Sequence, residues 1–136
     1  MALMPARTKY RKQQRGIVKG DAHRGNGVAF GEFGLQSLEP GYVTGRQIEA
    51  CRVTISRAVG AAGKYWIRIF PHKPMSAHPL ESRMGHGKGE PDHWVAVIHP
   101  GTVMFEVGNI PEPLARLALN KAASKLPLRC RLASKR

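Results

Sequence analysis

The chain has 136 residues, of which 22 are lysine or arginine and 9 are aspartate or glutamate, so its formal net charge at pH 7 is +13. This length predicts one domain with a modest core. The charge favours nucleic acid as a partner over an anionic membrane, because neither a long apolar span nor a lysine-rich amphipathic helix is evident. Two cysteines without paired spacing indicate a reduced, intracellular chain rather than a secreted disulfide scaffold.

Residues 1–26 are predicted to form a basic arm outside the folded domain, which would span residues 27–136. The arm contains a single acidic residue, Asp21, a single aromatic residue, Tyr10, and no apolar run of the length that a secretory signal needs. We expect it to be disordered alone and to order when it binds RNA. Its candidate phosphate contacts are the cations Arg7, Lys9, Arg11, Lys12, Arg15, Lys19 and Arg24.

Two apolar segments predict strands. VAFGEFGLQSLEPGYV (28–43) has short alternating pieces split by glycine and proline, which is typical of one or two interrupted strands. KYWIRIF (64–70) alternates in the same way and predicts a further strand.

The clearest helix of the sequence lies between these strands. Thr44 and Gln47 have the spacing of a capping box, and Gly60 or Gly63 supplies a C-terminal stop. Its predicted apolar face consists of Ile48, Cys51, Ile55, Ala58 and Val59. Two basic side chains away from this face are weaker candidates for RNA contact, Arg46 and Arg52.

Residues 71–91 predict a long functional loop, because the segment contains four prolines and three glycines. Its tip, RMGHGKG (83–89), alternates glycine with other residues. Glycine lets a backbone pass where a Cβ would clash, and Arg83 and Lys88 can pair with phosphates. An ordinary flexible tip is the alternative interpretation. The candidate contacts of the loop are Lys73, Arg83, Met84, Gly85, His86, Gly87, Lys88 and Gly89.

The rest of the chain predicts a hairpin, a helix and a strand. Residues 92–99 and 102–108 flank a Pro-Gly bend, and residues 128–136 alternate with outward arginines. Residues 110–126 predict a helix whose buried stripe would be Leu114, Leu117, Ala118, Ala122 and Leu126. The order of elements predicts an α+β fold, with two helices on one face of a mainly antiparallel or mixed sheet.

No residue pattern predicts a metal site, a cofactor site or a catalytic centre. The spacing of His72, His78, His86 and His93 lacks the close pair that zinc ligands usually form. Asp92 and His93 are the single close acid–base pair, and neighbours in a strand are expected to point to opposite faces. Gly87-Lys88 is followed by Gly89, which does not fit a nucleotide-binding P-loop.

Five segments, taken together, resemble one known family. They are RTKYRKQQRG, FGEFGLQSLEPGYVTGRQIEACR, KYWIRIFPHKP, RMGHGKGEPDHWVAVIHPGTVMFEV and LALNKAASKLPLR. Over about residues 5–132 their order is similar to that of the bacterial form of large-subunit ribosomal protein sixteen, a family with counterparts in archaea and eukaryotes. The Arg-Met-Gly-x-Gly-Lys-Gly stretch before an aromatic strand is the most specific marker.

The resemblance implies a hammerhead-type α+β fold and a structural, non-catalytic role in the large ribosomal subunit. It implies binding to large-subunit (23S-type) rRNA through the arm, contact with A-site tRNA and a second candidate contact with P-site tRNA. Residues 71–91 would reach toward the peptidyl transferase region, beside neighbouring ribosomal proteins, and the chain would join late in assembly. The expected location is the cytoplasmic ribosome, with an organellar ribosome as an alternative. A stand-alone RNA-binding or RNA-processing factor is the alternative function.

The chain departs from the family at the tip, where the commonest residue is lysine and this sequence has His86. Histidine side chains, with an ordinary pKa of about 6.5, carry less charge at neutral pH than lysine. The resemblance therefore implies a tip whose attraction for phosphate is weaker, or sensitive to pH.

Overall fold

The computed structural model describes residues 3–136. Its elements, in chain order, are β1 (Phe33–Ser37), β2 (Gly41–Thr44), α1 (Gly45–Val59), β3 (Lys64–Ile67), β4 (Lys73–Ala77), β5 (Glu90–Ile98), β6 (Val103–Gly108), α2 (Glu112–Ala123) and β7 (Cys130–Ser134).

The strands form two antiparallel sheets. One has the order β3-β6-β1-β7 and the other the order β2-β5-β4. Helix α1 contacts β3 in the first sheet and β2 and β5 in the second, while α2 packs on α1, β1 and β7. The predicted α+β class with two packed helices is confirmed, and the strands divide between two sheets rather than forming one.

The predicted hairpin between the two strands that flank Pro100 and Gly101 was wrong. Strand β5 pairs with β2 and β4, whereas β6 pairs with β1 and β3. Both hydrogen-bonding edges of each strand are therefore occupied by other strands. The turn is tight, with the Thr102 N–H donating to the carbonyl of His99 at 3.2 Å, and it carries the chain from one sheet to the other.

Helix α1 begins and ends where the sequence predicted. The Thr44 hydroxyl accepts from the Gln47 N–H at 3.2 Å, and the Gln47 side-chain oxygen accepts from the Thr44 N–H at 2.9 Å. This capping box satisfies two backbone donors. At the other end Gly60 has a φ of +75°, which suits glycine because a side chain there would be strained. The predicted face is buried at Ile48, Cys51, Ile55 and Val59, and Ala58 packs against it.

The stripe predicted for helix α2 is confirmed at Ala118 and Ala122, and Leu114 and Leu126 are partly buried against the core. Leu117 was wrongly included, and Ala115 and Leu119 were missed. Ala115, Ala118, Leu119 and Ala122 face the core, whereas Leu117 is 50% exposed. Positions 117 and 119 differ by about 200° around a helix, so they cannot share a face. The small residues of the stripe allow α2 to approach α1 closely, which is why alanine rather than leucine occupies three of these positions.

Candidate nucleic-acid interface

The basic arm contacts the predicted tip loop. The arm has no helix or strand between residues 3 and 26. The Lys12 ammonium donates to the carbonyl of Lys88 at 3.3 Å, and the Lys88 ammonium donates to the carbonyl of Gln13. Two cations that the sequence predicted as separate RNA contacts therefore lie side by side.

The middle of the arm is fastened to the three-stranded sheet. The carbonyl of Arg15 accepts from the Tyr42 hydroxyl on β2 at 3.0 Å and from the Lys73 ammonium on β4. The Lys73 nitrogen also lies 5.3 Å from the centre of the Tyr42 ring, within the range of a cation–π contact. The arm thus contacts this sheet at Arg15, two residues after the carbonyl of Gln13 that accepts from the tip loop.

The end of the arm is fastened to the turn between the two sheets. The Ala22 N–H donates to the carbonyl of Pro100 at 2.9 Å, and the Val103 N–H donates to the carbonyl of Gly25 at 2.8 Å. These two backbone bonds fix where the arm joins the folded domain.

The predicted loop over residues 71–91 is partly strand. Residues Lys73–Ala77 form β4, which pairs with the start of β5, so the irregular excursion covers residues 78–89. The prediction of a continuous loop depended on the prolines. Proline is tolerated in β4 because this strand lies at the edge of its sheet, where one row of N–H groups has no partner strand.

The glycines of the tip serve two different structural roles. Gly85, His86 and Gly87 have φ values of +96°, +65° and +84°, so three successive residues adopt left-handed conformations. Glycine adopts this region without strain, whereas His86 does not. Gly89 is instead a close approach, because a Cβ there would lie 2.6 Å from the backbone of Ala77. Residues 83–88 of the tip are exposed, and Met84 is 98% exposed.

The two candidate arginines of α1 have different surroundings. Arg46 is exposed and lines a cleft of about 670 Å³ together with Arg11 of the arm and Trp94 of β5. The Arg52 guanidinium donates to Glu49 at 2.6 Å and to the Tyr65 hydroxyl at 3.4 Å. The hydrogen bond to Glu49 is the main reason that the pKa of Arg52 is raised and that of Glu49 lowered. RNA contact by either arginine remains a prediction.

Asp92 and His93 are in contact, although the sequence predicted opposite directions. Their Oδ2 and Nδ1 atoms lie 2.8 Å apart. The register of β4 and β5 shifts here, since Ser76 pairs with Pro91 and Met75 with His93, which leaves Asp92 as an extra residue. A bulge of this kind redirects side chains. Both side chains are exposed, so the pair is a solvated ion pair when the histidine is protonated.

Residues 3–136 contain no group of three histidine, cysteine, aspartate or glutamate side chains that could hold a metal ion. Burial is the main cause that raises the pKa of the Cys51 thiol to about 12 and that of Cys130 to about 11. Thiolate ligands are therefore scarce at neutral pH. None of the helices in the described part of the chain is long and apolar enough to cross a membrane.

Sequence reasoning missed a buried carboxylate that organises the segment after the arm. Glu106 on β6 is fully buried. Its Oε1 accepts from the N–H groups of Ala29, Phe30 and Gly31 at 2.8, 3.0 and 3.2 Å. Its Oε2 lies 3.2 Å from Nη1 of Arg68. The feature of the sequence that could have revealed this buried carboxylate is the single acidic residue within the otherwise apolar strand VMFEVG.

The segment that Glu106 holds presents an aromatic cluster. The rings of Phe30 and Trp66 are stacked, with centroids 6.3 Å apart and an interplanar angle of 23°. The guanidinium carbon of Arg68 lies 5.6 Å from the centre of the Phe30 ring. Phe30 is 62% exposed, so the molecule has an aromatic surface besides the basic arm and tip.

Comparison with known proteins identifies the family. The profile of the family described as "Ribosomal protein L16p/L10e" matches residues 5–133. The large ribosomal subunit protein uL16 of Fusobacterium nucleatum subsp. nucleatum is 56% identical over 130 residues, which cover 96% of this chain and 91% of that protein. The protein of the same name from Bifidobacterium adolescentis is 52% identical over 130 residues, which cover 96% and 94% of the two chains. Both relatives are named as ribosomal proteins, in agreement with the expected non-catalytic role, and the chain belongs to the ribosomal protein L16p/L10e family.

Proposed function

We propose that this chain is a structural component of the large ribosomal subunit. In this proposal its arm binds large-subunit rRNA, and its tip loop contacts A-site tRNA, with P-site tRNA as the second candidate. Neighbouring large-subunit proteins complete its surroundings, and the chain supports the peptidyl transferase region late in assembly. The observation that carries the proposal is the contact of the arm with the tip loop, through Lys12, Lys88 and the carbonyl of Gln13.

The charge of this surface supports a polyanionic partner. Lys73 and Lys88 lie against the arm, Lys12 of the arm contacts Lys88, and the arm has one acidic residue between residues 1 and 26. Like charges held together repel one another, and a bound polyanion removes this cost. Phosphate backbones are the polyanions that a ribosomal protein meets.

The lysines can bind phosphate without releasing the arm. An ammonium group has three N–H donors. Lys88 donates one of them to Gln13, and Lys73 donates one to Arg15. Two donors of each ammonium therefore remain for phosphate, so the arm and the tip loop can engage RNA as one preassembled surface, which reduces the entropy lost on binding.

The tip is tested by A-site tRNA binding to large subunits that carry Arg83→Ala or Lys88→Ala. Loss of one exposed phosphate contact is expected to weaken tRNA binding by roughly 2- to 10-fold, between the effect of an exposed ion pair and that of a charge-assisted hydrogen bond. Lys121→Ala, on α2, is the matched control and should bind tRNA as the unmodified chain does. Unchanged affinity for both tip variants would contradict contact of the tip with tRNA.

His86→Lys belongs in the same series. A permanent charge at this exposed position should strengthen tRNA binding and reduce its dependence on pH.

Association with the subunit is measured separately, by sedimentation through sucrose at low and moderate salt. Recovery of the protein from free fractions alone, in both conditions, would refute the ribosomal role.

A further inference from the structure

We infer that Phe30, Trp66 and Arg68 form a stacking site for one unpaired base of large-subunit rRNA. The inference rests on the rRNA association proposed above, and it concerns a surface separate from the contact between the arm and the tip loop.

The position of Phe30 is fixed although its ring is exposed. Its own N–H and those of Ala29 and Gly31 all donate to the buried Oε1 of Glu106. At Gly31 an added Cβ would lie 2.4 Å from the carbonyl oxygen of Val107, so this segment lies tightly against β6. An exposed ring that is already immobilised loses little conformational entropy when a ligand stacks on it.

Arg68 is fixed beside this ring. Its Nη1 donates to the carbonyl of Gly27 at 2.5 Å and lies 3.2 Å from the carboxylate of Glu106. Bases stack on aromatic rings and on guanidinium planes, and a base of any type has the π-face that such a surface needs. The near-parallel rings of Phe30 and Trp66 add to the area of this surface.

Charge favours RNA over an apolar protein surface as the occupant. Lys64 lies two residues before Trp66 on β3, and side chains two residues apart in a strand point to the same face, so Lys64 lies on the face of the cluster. The last cation of the arm, Arg24, precedes Gly25, where an added Cβ would lie 3.9 Å from the Arg68 guanidinium. Arg68 thus lies at the ring, with Lys64 on the same strand face and Arg24 next in sequence to the neighbouring Gly25. The one exposed acid in the segment is Glu32. Phosphates that flank a stacked base would meet these cations.

The experiment measures binding of Phe30→Leu and Phe30→Tyr to large-subunit particles depleted of this protein. Leucine keeps the apolar character and lacks the π-face, so affinity should fall by roughly 5- to 150-fold, the range for one lost base–aromatic stack. Tyrosine should retain the affinity of the unmodified chain. Because no charge changes, the salt dependence of binding should stay the same for Phe30→Leu. Leu117→Ala, an exposed apolar change on α2, controls for general loss of apolar surface.

Circular dichroism establishes that each variant is folded, and ultraviolet crosslinking of the assembled subunit identifies the occupant. A nucleotide adduct on the peptide of Phe30 or Trp66 supports the inference. Wild-type affinity of Phe30→Leu, or crosslinks from this segment to a neighbouring protein with no nucleotide adduct, would overturn it. Failure of the unmodified chain to bind the particles would overturn the rRNA association as well.

Discussion

Glu106 is the one acidic or basic side chain that is fully buried among residues 3–136. Moving a carboxylate out of water costs several kcal/mol unless hydrogen bonds and an opposite charge offset that cost. Three backbone N–H groups and the Arg68 guanidinium provide the offset here. Through these three hydrogen bonds the Glu106 carboxylate fixes the segment that joins the arm to β1.

Replacing this residue by Glu106→Gln is expected to lower the free energy of unfolding by about 3–5 kcal/mol, because it leaves Arg68 without its partner and puts amide donors next to backbone donors. Urea unfolding followed by circular dichroism measures the change. Glu112→Gln, which breaks an exposed pair with Arg116, should change stability by less than about 1 kcal/mol. Equal losses for the two variants would show that the buried pair has no special role.

At the level of elements, local signals in the sequence were reliable. The capping box of α1 needs only residues three apart, so the sequence alone located the start of the helix at Thr44. The partner of each strand depends on residues far away. For this reason local patterns could not show that β5 and β6 belong to different sheets. They also could not show that β4 is an edge strand, a position that tolerates Pro74.

The capping box predicts how much the start of α1 contributes to stability. Thr44→Ala leaves helix donors unsatisfied and should destabilise the protein by about 0.5–2 kcal/mol. Thr54→Ala is a matched control on the same helix. The Thr54 hydroxyl donates only to the Ala50 carbonyl, and that carbonyl keeps its helical backbone N–H donor when the hydroxyl is removed. Thermal unfolding of both variants compares them. If the Thr44 variant were as stable as the Thr54 variant, the capping box would not stabilise α1.

For the whole molecule, the excess of 13 positive charges favoured nucleic acid as the class of partner, and the order of motifs identified the family. The site was predicted less completely. The sequence named the cations of the arm and the tip, but their contact at Lys12 and Lys88 spans 76 residues and depends on the folded sheets. The contact of Asp92 with His93 depends on a bulge, which neighbouring residues do not specify.

Charge also gives a prediction for the molecule as a whole. If the arm and the tip neutralise about five phosphates, a plot of log affinity for large-subunit rRNA against log salt concentration should have a slope of about −3.5 to −4.5. Lys88→Ala should make this slope shallower by about 0.7–0.9, since one phosphate contact is lost. Filter binding from about 50 to 200 mM salt measures both slopes. A slope near zero for the unmodified chain would contradict binding through phosphates.

The pairing of β1 with β7 has a consequence for how the chain folds as it is synthesised. Phe33 pairs with Ser134, about a hundred residues later. The four-stranded sheet therefore cannot be completed on a nascent chain until residue 134 has left the exit tunnel, and until then one edge of β1 is open. Pairings between such distant segments form slowly, and unpaired edges invite association with other chains. The synthesis of this protein thus includes an interval in which foreign strands can reach the open edge of β1 before β7 is available to cover it.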